Sequence, residues 1–140
     1  HCVTGVQTCA LPISAPTTVI SFGSSGCVPC WHEWPQLGAQ ARRWGAKGTP
    51  VYIIVIEETA ANQARLYDYF RDLSSEGLVV LHDHNGLIAD SFDVAALPTT
   101  LLVDAGRNVI LRREGMTATL VDELDKAISG LSQPSPRGEQ

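Results

Sequence analysis

Hydrophobic and polar positions along the chain change period several times, and each change marks an element. Thr17-Thr18-Val19-Ile20-Ser21-Phe22 is a β-like run that closes on the flexible turn Gly23-Ser24-Ser25-Gly26. Trp34, Leu37, Ala41 and Trp44 then recur at helical spacing, with Gln40, Arg42, Arg43 and Lys47 toward solvent. Pro35 inside this helix is expected to kink it, and Gly48 to stand just past its end. Val51 to Ile56 is apolar on both faces, the pattern of a parallel strand covered from each side and expected to form the core of a sheet. Glu57-Glu58-Thr59 leads into a helix reaching about Leu73, whose expected buried stripe is Ala64, Tyr67, Phe70 and Leu73, with Gly77 ending it. Leu78 to Leu81 reads as a short strand, His82-Asp83-His84-Asn85-Gly86 as a loop, and the residues up to Phe92 as a brief helix. A strand from Leu97 to Asp104, a tight turn at Ala105-Gly106 and an antiparallel partner from Asn108 to Arg113 follow. Thr117 is expected to cap a last helix with Leu120, Leu124, Ile128 and Leu131 inward. Alternation first and a hairpin last predict an α/β fold with a central mixed sheet flanked by helices.

The 140 residues, 44% of them hydrophobic, are enough for one domain with its own core. A net charge of -5 without any basic run gives a nucleic-acid role no support. No apolar stretch approaches the roughly 18 residues of a membrane helix. Residues 3–13 resemble the translation of a sequencing-adapter oligonucleotide, so 1–14 are expected to be a non-native leader and 15–131 an N-terminally truncated domain. On that reading Cys2 and Cys9 carry no function, and any signal peptide or membrane anchor belonged to the replaced part. The Pro/Ser/Gly-rich residues 132–140 are expected to form a disordered tail.

The chemistry concentrates at Cys27-Val28-Pro29-Cys30, where the first strand gives way to the long helix. Two thiols at this spacing can close into a disulfide and reopen. Unpaired amides and the positive end of the macrodipole at the helix N-terminus favour a Cys27 thiolate. In such motifs the thiol can fall from about 8.5 to between about 3.5 and 7.5. The pair could instead donate half of a zinc site, for which His32, His82 and His84 are the remaining candidate ligands, although neither a second CxxC nor a His-x-x-x-His is present. The Asp83 to Gly86 segment lacks the spaced acids of a calcium loop and reads as a polar turn. Glu57-Glu58 reads as compensation of a helix dipole.

Leu97-Pro98-Thr99 stands about seventy residues downstream, with its proline at a strand start. Together, Ile20-Ser21-Phe22, Cys27-Val28-Pro29-Cys30, Glu33, Pro35, the Val51 to Ile56 strand, Leu97-Pro98-Thr99 and Asp104-Ala105-Gly106 resemble the thioredoxin-like fold, and within it the TlpA/ResA-like thiol-disulfide oxidoreductases. The similarity spans about Thr17 to Leu131. It implies an oxidoreductase without cofactor or metal, in which Cys27 is the exposed nucleophile and Cys30 the buried resolving thiol. Pro98 would be a cis-proline against the disulfide, and Leu97 would offer its backbone to a substrate peptide. Glu33, one helical turn after Cys30, matches an acidic residue near the thiols of that family and would move the Cys30 proton. A solvated helix glutamate is the other reading of the same residue.

Two departures from the family pattern stand out. Ser21 occupies the place of the buried acid that thioredoxins proper carry, so a proton acceptor must lie elsewhere. Gly26 and Gly23 stand where aromatic residues are common, which predicts a more exposed nucleophile on a more mobile loop. Trp31 is the candidate replacement as a substrate-contacting aromatic, or simple packing. Pro29 removes an amide that would stabilise the Cys27 thiolate, which predicts a reductase rather than an oxidase. The resemblance implies a monomer in the bacterial periplasm or on the outer face of the membrane, acting on protein disulfides and re-reduced by an upstream thiol. Its rivals are a copper chaperone using Cys27, Cys30 and a histidine, and a peroxiredoxin-like peroxidase, whose proline- and threonine-containing loop before the reactive cysteine is missing here.

Overall fold

The computed structural model describes residues 15–56, 59–73 and 77–131. The readings made above on 1–14, on Glu57 and Glu58, on the Leu73 side chain and on 132–140 lie outside the described residues.

β1 (Thr17–Gly23), α1 (Val28–Ala46), β2 (Val51–Ile56), α2 (Ala60–Leu73) and β3 (Leu78–Asp83) follow one another, then a single 3-10 turn at His84–Gly86 and α3 (Leu87–Ser91). The hairpin of β4 (Thr99–Asp104) and β5 (Val109–Glu114) and the closing α4 (Leu120–Leu131) complete the order. The strands form one mixed sheet in the order β3-β2-β1-β4-β5. β1, not β2, is therefore the middle strand: it runs parallel to β2 with Val19 opposite Val51, and antiparallel to β4 with Ser21 opposite Thr100. Every residue of β1 is buried, whereas β2 leaves Tyr52 and Ile56 partly exposed. The reading of Val51 to Ile56 as the sheet's core thus moves one strand over.

Successive parallel steps from β1 to β2 to β3 run in one direction, so right-handed crossovers place α1 and α2 on the same face. On that face Val19, Val51, Ile53, Val55 and Leu102 pack against Trp34, Leu37, Ala41 and Trp44 of α1, Leu66 and Phe70 of α2, and Leu120, Leu124 and Ile128 of α4. The stripe of α1 is fully buried as its spacing predicts, each large side chain contributing about 1.5–3 kcal/mol. Gly48, at φ +91°, stands just beyond its C-cap Lys47. On the opposite face Ile20, Phe22, Ile54, Leu101 and Val103 pack beneath Ile88, Ala89 and Phe92.

Three helix readings are corrected. α2 buries Leu66 and Phe70, with Tyr69 half-buried; Ala64 and Tyr67 are exposed, because α2 turns Tyr69 rather than Tyr67 toward the aromatic rings of α1. Leu131, at the end of α4, is half exposed instead of inward. Thr117 does not cap α4: its hydroxyl is buried without a partner among the described residues, and the helix starts after Thr119, whose Oγ1 is bonded to Glu123 at 2.6 Å. No helix among the described residues is long and apolar enough to cross a membrane.

Candidate active site

β1 delivers the chain to the upper edge of the sheet, and the loop after Gly23 turns it into α1 so that Cys27 becomes the N-cap residue. Its backbone is extended, and its Sγ accepts the amide of Cys30 at 3.2 Å, the place a serine or aspartate oxygen usually takes. Pro29, in the first turn, has no amide to add to that bond. Cys27 and Cys30 are joined as a disulfide with their Cα atoms 5.3 Å apart. Cys27 is partly exposed, flanked by exposed Val28 and Pro29, while Cys30 is completely buried.

The floor beneath this disulfide is Gly23. A Cβ placed there would stand 2.7 Å from Cζ2 of Trp34 and 2.9 Å from Sγ of Cys30, so the ring of Trp34 and the buried sulfur fill the space a side chain would need. An aromatic residue at position 23 is sterically excluded, and the aromatic surface comes from α1 instead. Position 26 differs, since a Cβ on Gly26 would touch none of the described residues within 4 Å. Trp31 donates its Nε1 hydrogen to the carbonyl of Ser25 at 2.9 Å, and its ring meets Trp34 and Tyr69 edge-on at 5.0 and 4.7 Å. It therefore ties the loop before Cys27 to α1 and α2, and packing is the part of its two readings that these contacts carry. The loop the sequence reads as mobile is held by this bond and by the Cys27 amide, which donates to the Ser24 carbonyl at 3.2 Å.

Glu33 is only 1% exposed, so it does not sit on a solvated face. Its Oε2 lies 3.0 Å from the hydroxyl of Thr100, which in turn lies 3.1 Å from the hydroxyl of Ser21. Burial pushes the Glu33 carboxyl up to about 7, with the Thr100 hydrogen bond opposing that rise. Oε1 is buried without a partner among the described residues. The position of Ser21 thus does connect to an acid, by way of Thr100. The sequence reading missed Thr100; strand alternation would have found it, since Thr100 faces Ser21 across the ladder and both lie on the α1 side.

The Leu97–Pro98 peptide is cis. The β1/β4 ladder pairs Phe22 with Thr99, and one further step brings Pro98 level with Gly23, the floor of the disulfide. Leu97 is half-buried against both apolar clusters, and the Pro98 carbonyl accepts the Gly115 amide at 2.8 Å. The histidines are placed otherwise. The ring of His82 meets Tyr67 edge-on at 5.3 Å, and among the described residues no group of three or more His, Cys, Asp or Glu side chains stands where it could hold a metal ion. Asp83 is a helix cap rather than a ligand, accepting the amides of Ile88 and Ala89 at 2.8 Å each.

A sequence model of the AhpC/TSA family matches residues 12–112. The thiol-disulfide oxidoreductase ResA of Bacillus subtilis (strain 168) is 23% identical over 115 residues, which are 82% of this chain and 60% of ResA. The chain thus spans about 60% of the length of the curated relative it matches. Among solved structures, a candidate thiol:disulfide interchange protein DsbE from Chlorobium tepidum superposes with a TM-score of 0.71 at 21% identity, covering 86% of this chain and 82% of that one. StoA from Bacillus subtilis gives 0.65 at 21% identity, with 81% and 85% covered. The exposed lipoprotein thioredoxin Etrx1 of Streptococcus pneumoniae gives 0.67 at 18% identity, with 84% and 87% covered. These likenesses establish the thioredoxin-like fold that the motif set implies.

Proposed function

The chain belongs to the AhpC/TSA family, and from that premise and the site geometry we propose that it is a thiol-disulfide oxidoreductase acting as a protein disulfide reductase. The observation that carries this reading is the Cys27–Cys30 disulfide at the N-terminus of α1, with one sulfur reachable and the other buried. In the dithiol form the Cys27 thiolate attacks a substrate disulfide, forming a mixed disulfide and releasing the first substrate thiolate. Cys30 loses its proton and attacks Sγ of Cys27. The second substrate sulfur leaves, the substrate has gained two electrons, and the Cys27–Cys30 disulfide closes. An upstream thiol reductant restores the dithiol.

Glu33 takes the proton of Cys30 in this scheme. Burial holds its carboxyl near neutral pH, where an acid can both accept and return a proton, and Glu33 stands one helical turn from Cys30. Leu97 and Pro98, at the level of the disulfide floor, form the edge against which a substrate segment lies. Disulfide substrates are supported by the likeness to a thiol-disulfide oxidoreductase, and an extracytoplasmic setting by the likeness to an exposed lipoprotein thioredoxin.

The test is reduction of insulin by the dithiol form. Cys27→Ser is expected to abolish turnover, and Cys30→Ser to accumulate a mixed disulfide through Cys27. Full activity in Cys27→Ser refutes the assignment. Peroxide consumption comparable to insulin reduction favours the peroxidase alternative, and stoichiometric Cu(I) binding lost on replacing His82 or His84 favours the chaperone.

A further inference from the structure

Ser21, Thr100 and Glu33 come from three elements, β1, β4 and α1, and meet as a buried row of oxygens. Thr100 stands between the other two at 3.1 and 3.0 Å, with a single hydroxyl hydrogen to share. It cannot donate to both. When Glu33 is ionised, Thr100 must donate to Oε2, and Ser21 then donates to Thr100. When Oε2 is protonated, Glu33 donates to Thr100, and Thr100 turns its hydrogen to Ser21. Both arrangements satisfy every contact of the row, and they differ only by rotation of two hydroxyls and one proton on Glu33. Among the described residues Oε1 has no such partner, so Oε2 is where a carboxyl proton finds a hydrogen bond. The groups facing Glu33 from β1 and β4 are these hydroxyls, and its own helix brings Cys30 one turn earlier. Among the described residues no charged side chain bears on its acidity.

We propose that Thr100 is the positioning residue for Glu33, and that the Ser21–Thr100 pair reverses its direction of donation as Glu33 gains or loses its proton, so that proton uptake requires no movement of heavy atoms. This rests on the oxidoreductase reading for its use in turnover, but not for its existence. A merely structural threonine would add stability without tuning the carboxyl. The reversing row makes an unusual demand, because its two hydroxyls act on Glu33 with opposite sign. Removing the Thr100 hydroxyl takes a donor from the carboxylate and raises the Glu33 midpoint. Removing the Ser21 hydroxyl leaves Thr100 with nowhere to donate in the protonated arrangement, and lowers it.

The experiment is a carboxyl 13C NMR titration of the full chain in its disulfide form, with no substrate present. Thr100→Val is expected to move the Glu33 midpoint up by about 1 pH unit or more. Thr100→Ser is expected to restore it, and Ser21→Ala to move it down. An unmoved midpoint in Thr100→Val, or an upward shift in Ser21→Ala, overturns the proposal. If Thr100→Val does not fold, the sign of the Ser21→Ala shift decides alone. Insulin reduction by Cys27→Ser is scored separately, so the oxidoreductase reading and the hydroxyl row fail independently.

Discussion

Gly23→Ala places one methyl group in the most crowded point of the site. The new Cβ stands 2.7 Å from Cζ2 of Trp34, where carbon atoms ordinarily rest about 3.5–4.0 Å apart, and 2.9 Å from Sγ of Cys30. Neither neighbour yields easily. Trp34 is fully buried, with Trp31 and Phe70 each at 5.0 Å between ring centroids, and Cys30 is fixed by its disulfide. The backbone at Gly23 is not left-handed, so the cost is overpacking alone, about 1–3 kcal/mol, or a fall in Tm of about 4–12 °C in the disulfide form. Reduction frees the Cys30 sulfur to rotate and relieves part of the clash. The disulfide form then loses more stability than the dithiol, and the midpoint potential rises by about 30 mV for each 1.4 kcal/mol of that difference. Thermal unfolding of both forms and equilibration against glutathione measure these quantities. Gly26→Ala is the control, expected within about 0.5 kcal/mol of the parent because none of the described residues lies within 4 Å of its Cβ. A disulfide-form Tm within 1 °C of the parent for Gly23→Ala refutes the packing argument.

The Glu33 carboxyl rises from 4.5 to about 7 on folding, so the native state binds more protons between these values and stability is lost as pH rises through that window. Urea unfolding should show the disulfide form more stable at pH 5 than at pH 7.5, by at most about 3 kcal/mol, and Glu33→Gln should flatten the difference; a parent that gains stability toward pH 7.5 contradicts the assignment. Asp104 and Asp125 are held below the usual carboxylate range by hydrogen bonds, so their contribution is lost only at lower pH. Asp125→Ala removes the acceptor of the buried Trp44 indole at 2.6 Å and of Arg43 at 3.0 Å, and should cost about 1–3 kcal/mol in chemical denaturation; an unchanged midpoint shows that α4 does not depend on this tie. The missing amide of Pro29 predicts a midpoint potential well below the roughly -120 mV of the most oxidising relatives, and a value near that figure contradicts a reductase.

Much of this site is written in short-range pattern. The Cys27 to Cys30 spacing, the stripe of α1 and the proline at the start of β4 each follow from local rules, and each falls where those rules put it. What escaped the sequence depends on contacts between distant elements. Tyr67 and Tyr69 are both plausible inward residues of α2 by spacing, and the rings of Trp31 and Trp34 select Tyr69. Glu33 reads equally well as solvated or buried, until β4 is seen to bring Thr100 over it. Thr100 itself looks like one more β-branched strand residue, because its chemistry arises from standing opposite Ser21. Thr117 and Thr119 both precede α4, and the Glu123 amide, which donates to the Thr119 carbonyl at 2.9 Å, sets the start of the helix at Thr119.

Along the side of β1 that faces α1, bulk falls from Val19 to Ser21 to nothing at Gly23, while Ile20 and Phe22 fill the other side. A deletion or insertion of one residue within β1 would exchange these sides and drive a phenylalanine or isoleucine under the sulfurs. The strand therefore leaves little latitude for altering the disulfide's surroundings from below. Variation that tunes this chemistry has to arrive from α1 and β4, at Glu33 and Thr100, or from the open space at Gly26, and these are the positions an engineer would randomise first.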